Sequence, residues 1–174
     1  MKKTLLTCLV CCTVATAIAV HDKSASEKTP PGPSTEFVMQ LKVKLGSAYT
    51  VGETPHGRRT AIPIAGGTFK GPRLRGTVLE GGADWQLAKG SRTELEAIYS
   101  IKTDDGVHIH VRNCGILYNG KDENGRPQFY FMTAPKFEAP ENSKYAWLNN
   151  ALFLCAPSFG EKFDGIVLNV WKVK

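Results

Sequence analysis

From Phe37 onward the chain alternates apolar and polar side chains over short runs, and no helical pattern long enough for a crossover connection lies between them. The clearest run is Val107–Arg112. Val107, Ile109 and Val111 take one face, while His108, His110 and Arg112 take the other. Leu95–Lys102 alternates in the same way, and the Asp104-Asp105-Gly106 segment between the two runs predicts a hairpin. Further β-rich runs span Phe37–Leu45, Arg59–Ile64, Leu74–Leu79, Trp85–Leu87, Phe129–Thr133 and Ile166–Val173. Trp147–Cys155 reads as a strand or as a short helix, because Leu148 and Leu152 are four apart. Without crossover helices a parallel α/β fold is excluded, and the expectation is an all-β antiparallel sheet, either a sandwich or a barrel. Closure into a barrel also removes exposed sheet edges. Glycines cluster at Gly66-Gly67, Gly71, Gly76 and Gly81-Gly82, where a strongly curved sheet needs bends and bulges.

The first 35 residues follow other rules. Lys2 and Lys3 precede the apolar stretch Leu5–Cys12, and the segment ends in small residues with Ala17 and Ala19 at the two cleavage positions. This is the order of a secretory signal, so residues 1-19 are expected to be removed and the protein exported to a periplasmic or extracellular space. The stretch is short for a spanning helix, and no stable membrane span is expected after processing. Thr7, Val10 and Cys11 precede the three cysteines of the segment, where a lipid anchor requires a small residue. Residues 20-35 are rich in Lys, Ser, Glu and Pro and read as a flexible leader. One folded domain, 36-174, remains, long enough to bury a core without metals or many disulfides.

The formal charge of +6 falls to +4 without Lys2 and Lys3, and the basic residues form no concentrated block. Nucleic acid is therefore not an expected partner. Only Cys114 and Cys155 lie outside the signal segment. In an oxidising compartment they permit one disulfide; two free buried thiols are the alternative.

Chemistry-bearing residues are few. His108 and His110 at i and i+2 could approach a metal together, but no third histidine follows at the spacing of a barrel metal site, and no metal or cofactor is expected. If their face is inward, His108, His110 and Arg112 line the lumen. If it is outward, Ile109 and Val111 are core. Asp84 and Trp85, after the Gly81-Gly82 turn, and the aromatic pair Tyr145 and Trp147 complete the candidate ligand-binding set. Tyr145 and Trp147 fit equally well as a plug at one barrel end. No Gly-x-Ser-x-Gly elbow and no phosphate-cradling loop with Lys and Thr is present.

Several blocks, in order, carry a family resemblance. They are Ile64–Pro72 with Leu74-Arg75-Gly76, Gly81–Trp85, Tyr99–Gly106, Pro135–Glu138 and Tyr145–Asn150. With these the chain resembles the largely uncharacterised microbial family called domain of unknown function 3237, across Phe37–Val173. The resemblance implies a single β-barrel, lipocalin-like in outline, with no agreed activity and no transferable catalytic residues. Glu96-Ala97-Ile98-Tyr99 stands where the family often has Asp-Ala-Arg-Tyr, and Cys155-Ala156-Pro157 where it has a Gly-containing segment. The functional expectation is a barrel that binds a small, partly apolar molecule in its lumen. Its alternatives are a metal-independent enzyme acting by acid–base or positioning effects, and a fully packed barrel that serves envelope or extracellular interactions.

Overall fold

Alternation of this kind closes on itself in space. The computed structural model describes residues 30–160 and 163–174. The expected signal segment 1-19 and the leader as far as residue 29 lie outside them. Nine strands run in chain order: β1 (Thr35–Leu45), β2 (Tyr49–Thr54), β3 (Gly57–Lys70), β4 (Arg75–Lys89), β5 (Arg92–Thr103), β6 (His108–Lys121), β7 (Pro127–Glu138), β8 (Phe153–Phe159) and β9 (Ile166–Val173). A short 3-10 helix, Ala146–Asn150, lies between β7 and β8. Every pairing is antiparallel.

The sheet order is β1-β9-β8-β7-β6-β5-β4-β3-β2, and a further β1–β3 pairing closes it. β1 and β2 share one edge of β3. Leu45 pairs with Ile64 and Tyr49 with Ala61, so β2 continues the line of β1 after a jog at Gly46–Ala48. The result is a closed antiparallel barrel of eight staves, the size at which an interior is filled by side chains or holds one small ligand.

Three details differ from the sequence expectation. β2 has no signature in the sequence, because Tyr49, Val51 and Glu53 lie on an exposed strand with no buried face to impose a period. The Leu74–Leu79 and Trp85–Leu87 runs are one strand, β4, interrupted by a bulge at Gly81-Gly82. The Trp147 run divides. Its first part is the 3-10 helix, and strand structure resumes only at Phe153.

The two ends of the barrel are filled differently. Large side chains from β1, β5, β6, β7 and β9 (Met39, Leu41, Ile101, Ile109, Phe137, Val170) pack the half that holds the start of β1 and the end of β9. There the β7–β8 connection folds over the opening, with Leu148 1% exposed and Phe137 meeting Phe153 edge-to-face at 5.0 Å. Toward the opposite end the inward positions include Ala97, Asn113 and Thr133, which are too small to meet across the lumen. The barrel is therefore plugged at one end and hollow at the other.

Candidate functional site

The hollow half is a cavity of about 260 Å³. Its walls are mostly apolar, including Val43, Ile62, Leu95, Leu117, Ile166 and Leu168, with Phe131 and Phe159 toward the solvent end. Five polar side chains join them: Asp84, Gln86, Tyr99, Asn113 and Thr133. Register explains the grouping. Ile62 pairs with Asp84, Asp84 with Ala97, Ala97 with Asn113 and Asn113 with Pro135, so one inward row crosses five strands. Asp84 and Asn113 stand two strands apart in that row, about 9–10 Å along the sheet, with only the methyl of Ala97 between them.

The bulge in β4 sets the position of Asp84. Val78 pairs with Ile101 but Ala83 with Ile98, so β4 spends two more residues than β5 on this stretch. With a side-chain period of two, an insertion of two residues leaves the inward face unchanged and moves Asp84 along the lumen. The Asp84 carboxylate accepts a hydrogen bond from Gln86 Nε2 (2.7 Å) through Oδ2 and one from the Glu96 backbone N–H (3.1 Å) through Oδ1. Burial nonetheless wins over these two donors and pushes its pKa above the ordinary aspartate value.

That shift has a consequence for stability. The folded chain holds the Asp84 proton more tightly than the unfolded chain, so the native state binds more protons just above the ordinary aspartate range. Stability therefore falls as pH rises from about 4 through the lumenal value, and then levels off. In Asp84→Asn this loss is absent. The variant's thermal midpoint, measured relative to the native protein, is expected to climb between about pH 4 and pH 7. A constant difference across that range would contradict the burial of this carboxyl.

Two further polar atoms in the cavity lack protein partners. Asn113 is 5% exposed and Thr133 6%, and neither Asn113 Oδ1 nor Thr133 Oγ1 makes a well-formed hydrogen bond to a protein group, the sulfur neighbour of Thr133 being the weakly bonding Cys155 thiol opposite it. A buried polar atom left in this state costs about 1–3 kcal/mol. Gly115 pairs with Thr133 while Asn113 pairs with Pro135, so Asn113 and Thr133 are diagonal neighbours on adjacent strands. Among the described residues that line the cavity, Asp84 is the only one with a formal charge. The Tyr99 phenol is pushed above its ordinary pKa by burial and stays neutral.

Of the residues nominated from sequence, Asp84 alone lines this cavity. His108, His110 and Arg112 are on the outer face, because Ile109 and Val111 take the buried positions of β6. Arg112 pairs there with the Glu96 carboxylate. These three cannot line a lumenal site. Trp85 follows Asp84 by one residue and so points outward, where its backbone carbonyl accepts a hydrogen bond from Arg59. Tyr145 and Trp147 belong to the plug. The Tyr145 hydroxyl donates to Asp105 (2.8 Å), whose carboxyl is held well below the usual range by hydrogen bonds from Thr103, Lys144 and Tyr145. Trp147 packs on Phe153, with the Arg73 guanidinium 4.4 Å from its ring centroid.

Of the two alternatives the sequence leaves open for Cys114 and Cys155, a bridge or free thiols, the structure has both thiols free. Cys114 is on the outer face of β6 and Cys155 on the inner face of β8, with β7 between them. Burial pushes the Cys155 thiol up to about 11, so it stays protonated at neutral pH. Asn113 and Thr133 escape the sequence reading. Asn113 continues the inward series Ile109, Val111 at period two, and a polar residue in a core row is the available signal.

Comparison with known proteins gives a family. The model described as protein of unknown function (DUF3237) matches residues 33–173. A UPF0311 protein of Rhodopseudomonas palustris is 35% identical over 153 residues, spanning 82% of this chain and 98% of its own length. A crystal structure of a conserved protein of unknown function from the same organism superposes with a TM-score of 0.73 at 33% identity, covering 83% of this chain and 99% of that one. A protein of Penicillium herquei named hydroalkoxylation enzyme phnH is 27% identical over 139 residues, covering 79% of this chain and 83% of its own.

Proposed function

Because this chain belongs to the DUF3237 family of proteins of unknown function, we propose that its activity resides in the barrel lumen, which binds a small, mostly apolar molecule carrying one uncharged polar group. The observation that carries this reading is the pair of buried, unpartnered polar atoms in an apolar cavity. Asn113 Oδ1 and Thr133 Oγ1 lack protein partners, and a ligand that supplies one recovers their desolvation cost. A packed barrel with only surface functions gives no reason to retain them. Calorimetric titration with naphthalene, which tests the apolar part alone, is expected to show one site per chain. No heat and no shift of the Ile62, Leu95, Leu117 and Ile166 methyl resonances would count against the lumen.

On the same proposal the protein works outside the cytoplasm. Support comes from Lys2 and Lys3, the apolar run Leu5–Cys12 and the small residues Ala17 and Ala19. Among the described residues no helix is long and apolar enough to cross a membrane.

A second reading, an acid–base enzyme, is favoured by Asp84. A carboxyl whose pKa is raised by burial in an apolar cavity holds its proton above the ordinary aspartate range, as an acid that donates a proton and recovers it requires. The name of the Penicillium herquei relative suggests a reaction of that type. In a hydroalkoxylation an O–H group adds across a C=C bond. Asp84 would protonate one alkene carbon, the substrate oxygen would bond to the other, and the O–H proton would return to the carboxylate. No atoms are gained or lost. With 2-allylphenol as probe, the cyclic ether should form with the native protein and be lost by at least about 100-fold in Asp84→Asn. Equal rates in the two proteins would remove Asp84 from the chemistry and leave the binding reading standing.

A further inference from the structure

The wall of the cavity is not hydrogen-bonded all the way round. β7 pairs with β6 along twelve residues, from Pro127 to Glu138, but with β8 only at Thr133–Cys155. Pro135 on β7 and Pro157 on β8 flank that single pair, and neither brings an N–H to the seam. On the solvent side of the pair, aromatic rings take over from hydrogen bonds. Phe131 and Phe159 face each other across the seam at 6.2 Å between ring centroids. Phe129 meets Phe131 edge-to-face at 6.4 Å.

This cluster is open to solvent, with Phe129 63% and Phe159 69% exposed. Single exposed apolar residues are ordinary, but here Phe131 meets both Phe129 and Phe159, and Phe131 and Phe159 continue into the lumen. Phe131 and Phe159 line the cavity and the rim alike. The polar atoms that need a partner, Asn113 Oδ1 and Thr133 Oγ1, lie on the inward side of that rim.

Building on the lumen reading, we infer that the natural ligand is an elongated, uncharged alcohol, held hydroxyl-first. Its hydroxyl donates to Asn113 Oδ1 and bonds with Thr133 Oγ1. Its apolar body fills the cavity, and its tail leaves across the Phe131–Phe159 seam and lies on Phe129. A hydroxyl suits both atoms because it donates and accepts at once. A carboxylate head does not suit them. It would bring a bare negative charge into a mostly apolar cavity, and among the described lining residues no cation offsets it.

The test is a chain-length series. 1-Hexanol, 1-octanol, 1-decanol and decanoate are titrated at neutral pH into the native protein and into Phe129→Ala, a substitution at an exposed ring. In the native protein, affinity is expected to rise from hexanol to decanol by about twofold or more per added methylene. Decanoate should bind at least about tenfold more weakly than decanol. In Phe129→Ala the decanol-to-hexanol affinity ratio should fall at least about fivefold. A native ratio near one, a ratio unchanged in the variant, or decanoate equal to decanol would overturn the inference while hexanol and naphthalene binding kept the lumen reading intact. If neither naphthalene nor any alcohol binds, both fall together.

Discussion

Gly82→Ala is expected to cost the barrel about 3 kcal/mol or more and to abolish lumenal binding with it. Gly82 has a φ of +76°, in the left-handed region that side chains avoid. A Cβ there would stand 2.0 Å from the Ile98 carbonyl oxygen and 3.0 Å from its carbon. Both atoms are backbone of the neighbouring strand, so relief requires β4 and β5 to part where the bulge displaces Asp84. The hydrogen bond from the Glu96 N–H to Asp84 would be the first to break. Gly81→Ala provides the comparison. Gly81 also has a positive φ, +117°, but a Cβ there meets nothing within 4 Å. Its cost is conformational only, about 1–2 kcal/mol. Urea unfolding of the two variants checks the difference, and equal costs would mean that the close approach to Ile98 does not constrain the bulge.

Filling the lumen should remove binding with little effect on the fold. Ala97 is central in the inward row, between Asp84 and Asn113, and its methyl borders the cavity. Insertion of a large side chain into a packed core costs about 1–3 kcal/mol. Here the ring of Ala97→Phe enters existing space and buries apolar surface, so stability should change by no more than about 1 kcal/mol. The affinity for naphthalene should fall by at least about 100-fold, because probe and ring claim the same volume. Unchanged affinity would place the binding site elsewhere, and the outer groove around Arg59, Trp85 and Arg92 is the next place to look.

Much of the barrel is legible from alternation alone, and the site much less so. A strand with one buried face writes its period into the sequence, which is why β5 and β6 are readable. The same period states that two faces exist without stating which is inside. A row of His108, His110 and Arg112 attracts attention as chemistry, yet Ile109 and Val111 gain more from burial, and three polar groups gain more from water. Asp84 stands out for a different reason, its place just after a glycine pair. That glycine pair is the bulge, and the extra residues that bend β4 also set the carboxyl in the lumen. Asn113 and Thr133 are obscured because each is one polar residue in an apolar row, and their meaning appears only when β6 and β7 lie side by side. The sequence leaves a Cys114–Cys155 bridge and free thiols open on a related point, since two strand-borne cysteines carry no record of which face each one takes.

Crystals equilibrated with 4-bromophenol would test the lumenal site most directly, because the bromine can be located by anomalous scattering without prior assumptions. One strong peak is expected inside the barrel, on the rim side of Ala97 and near Leu117, with the phenol oxygen directed at Asn113 and Thr133. A barrel with no peak in the lumen, or with bromine only in the outer groove beside Trp85, would contradict binding there.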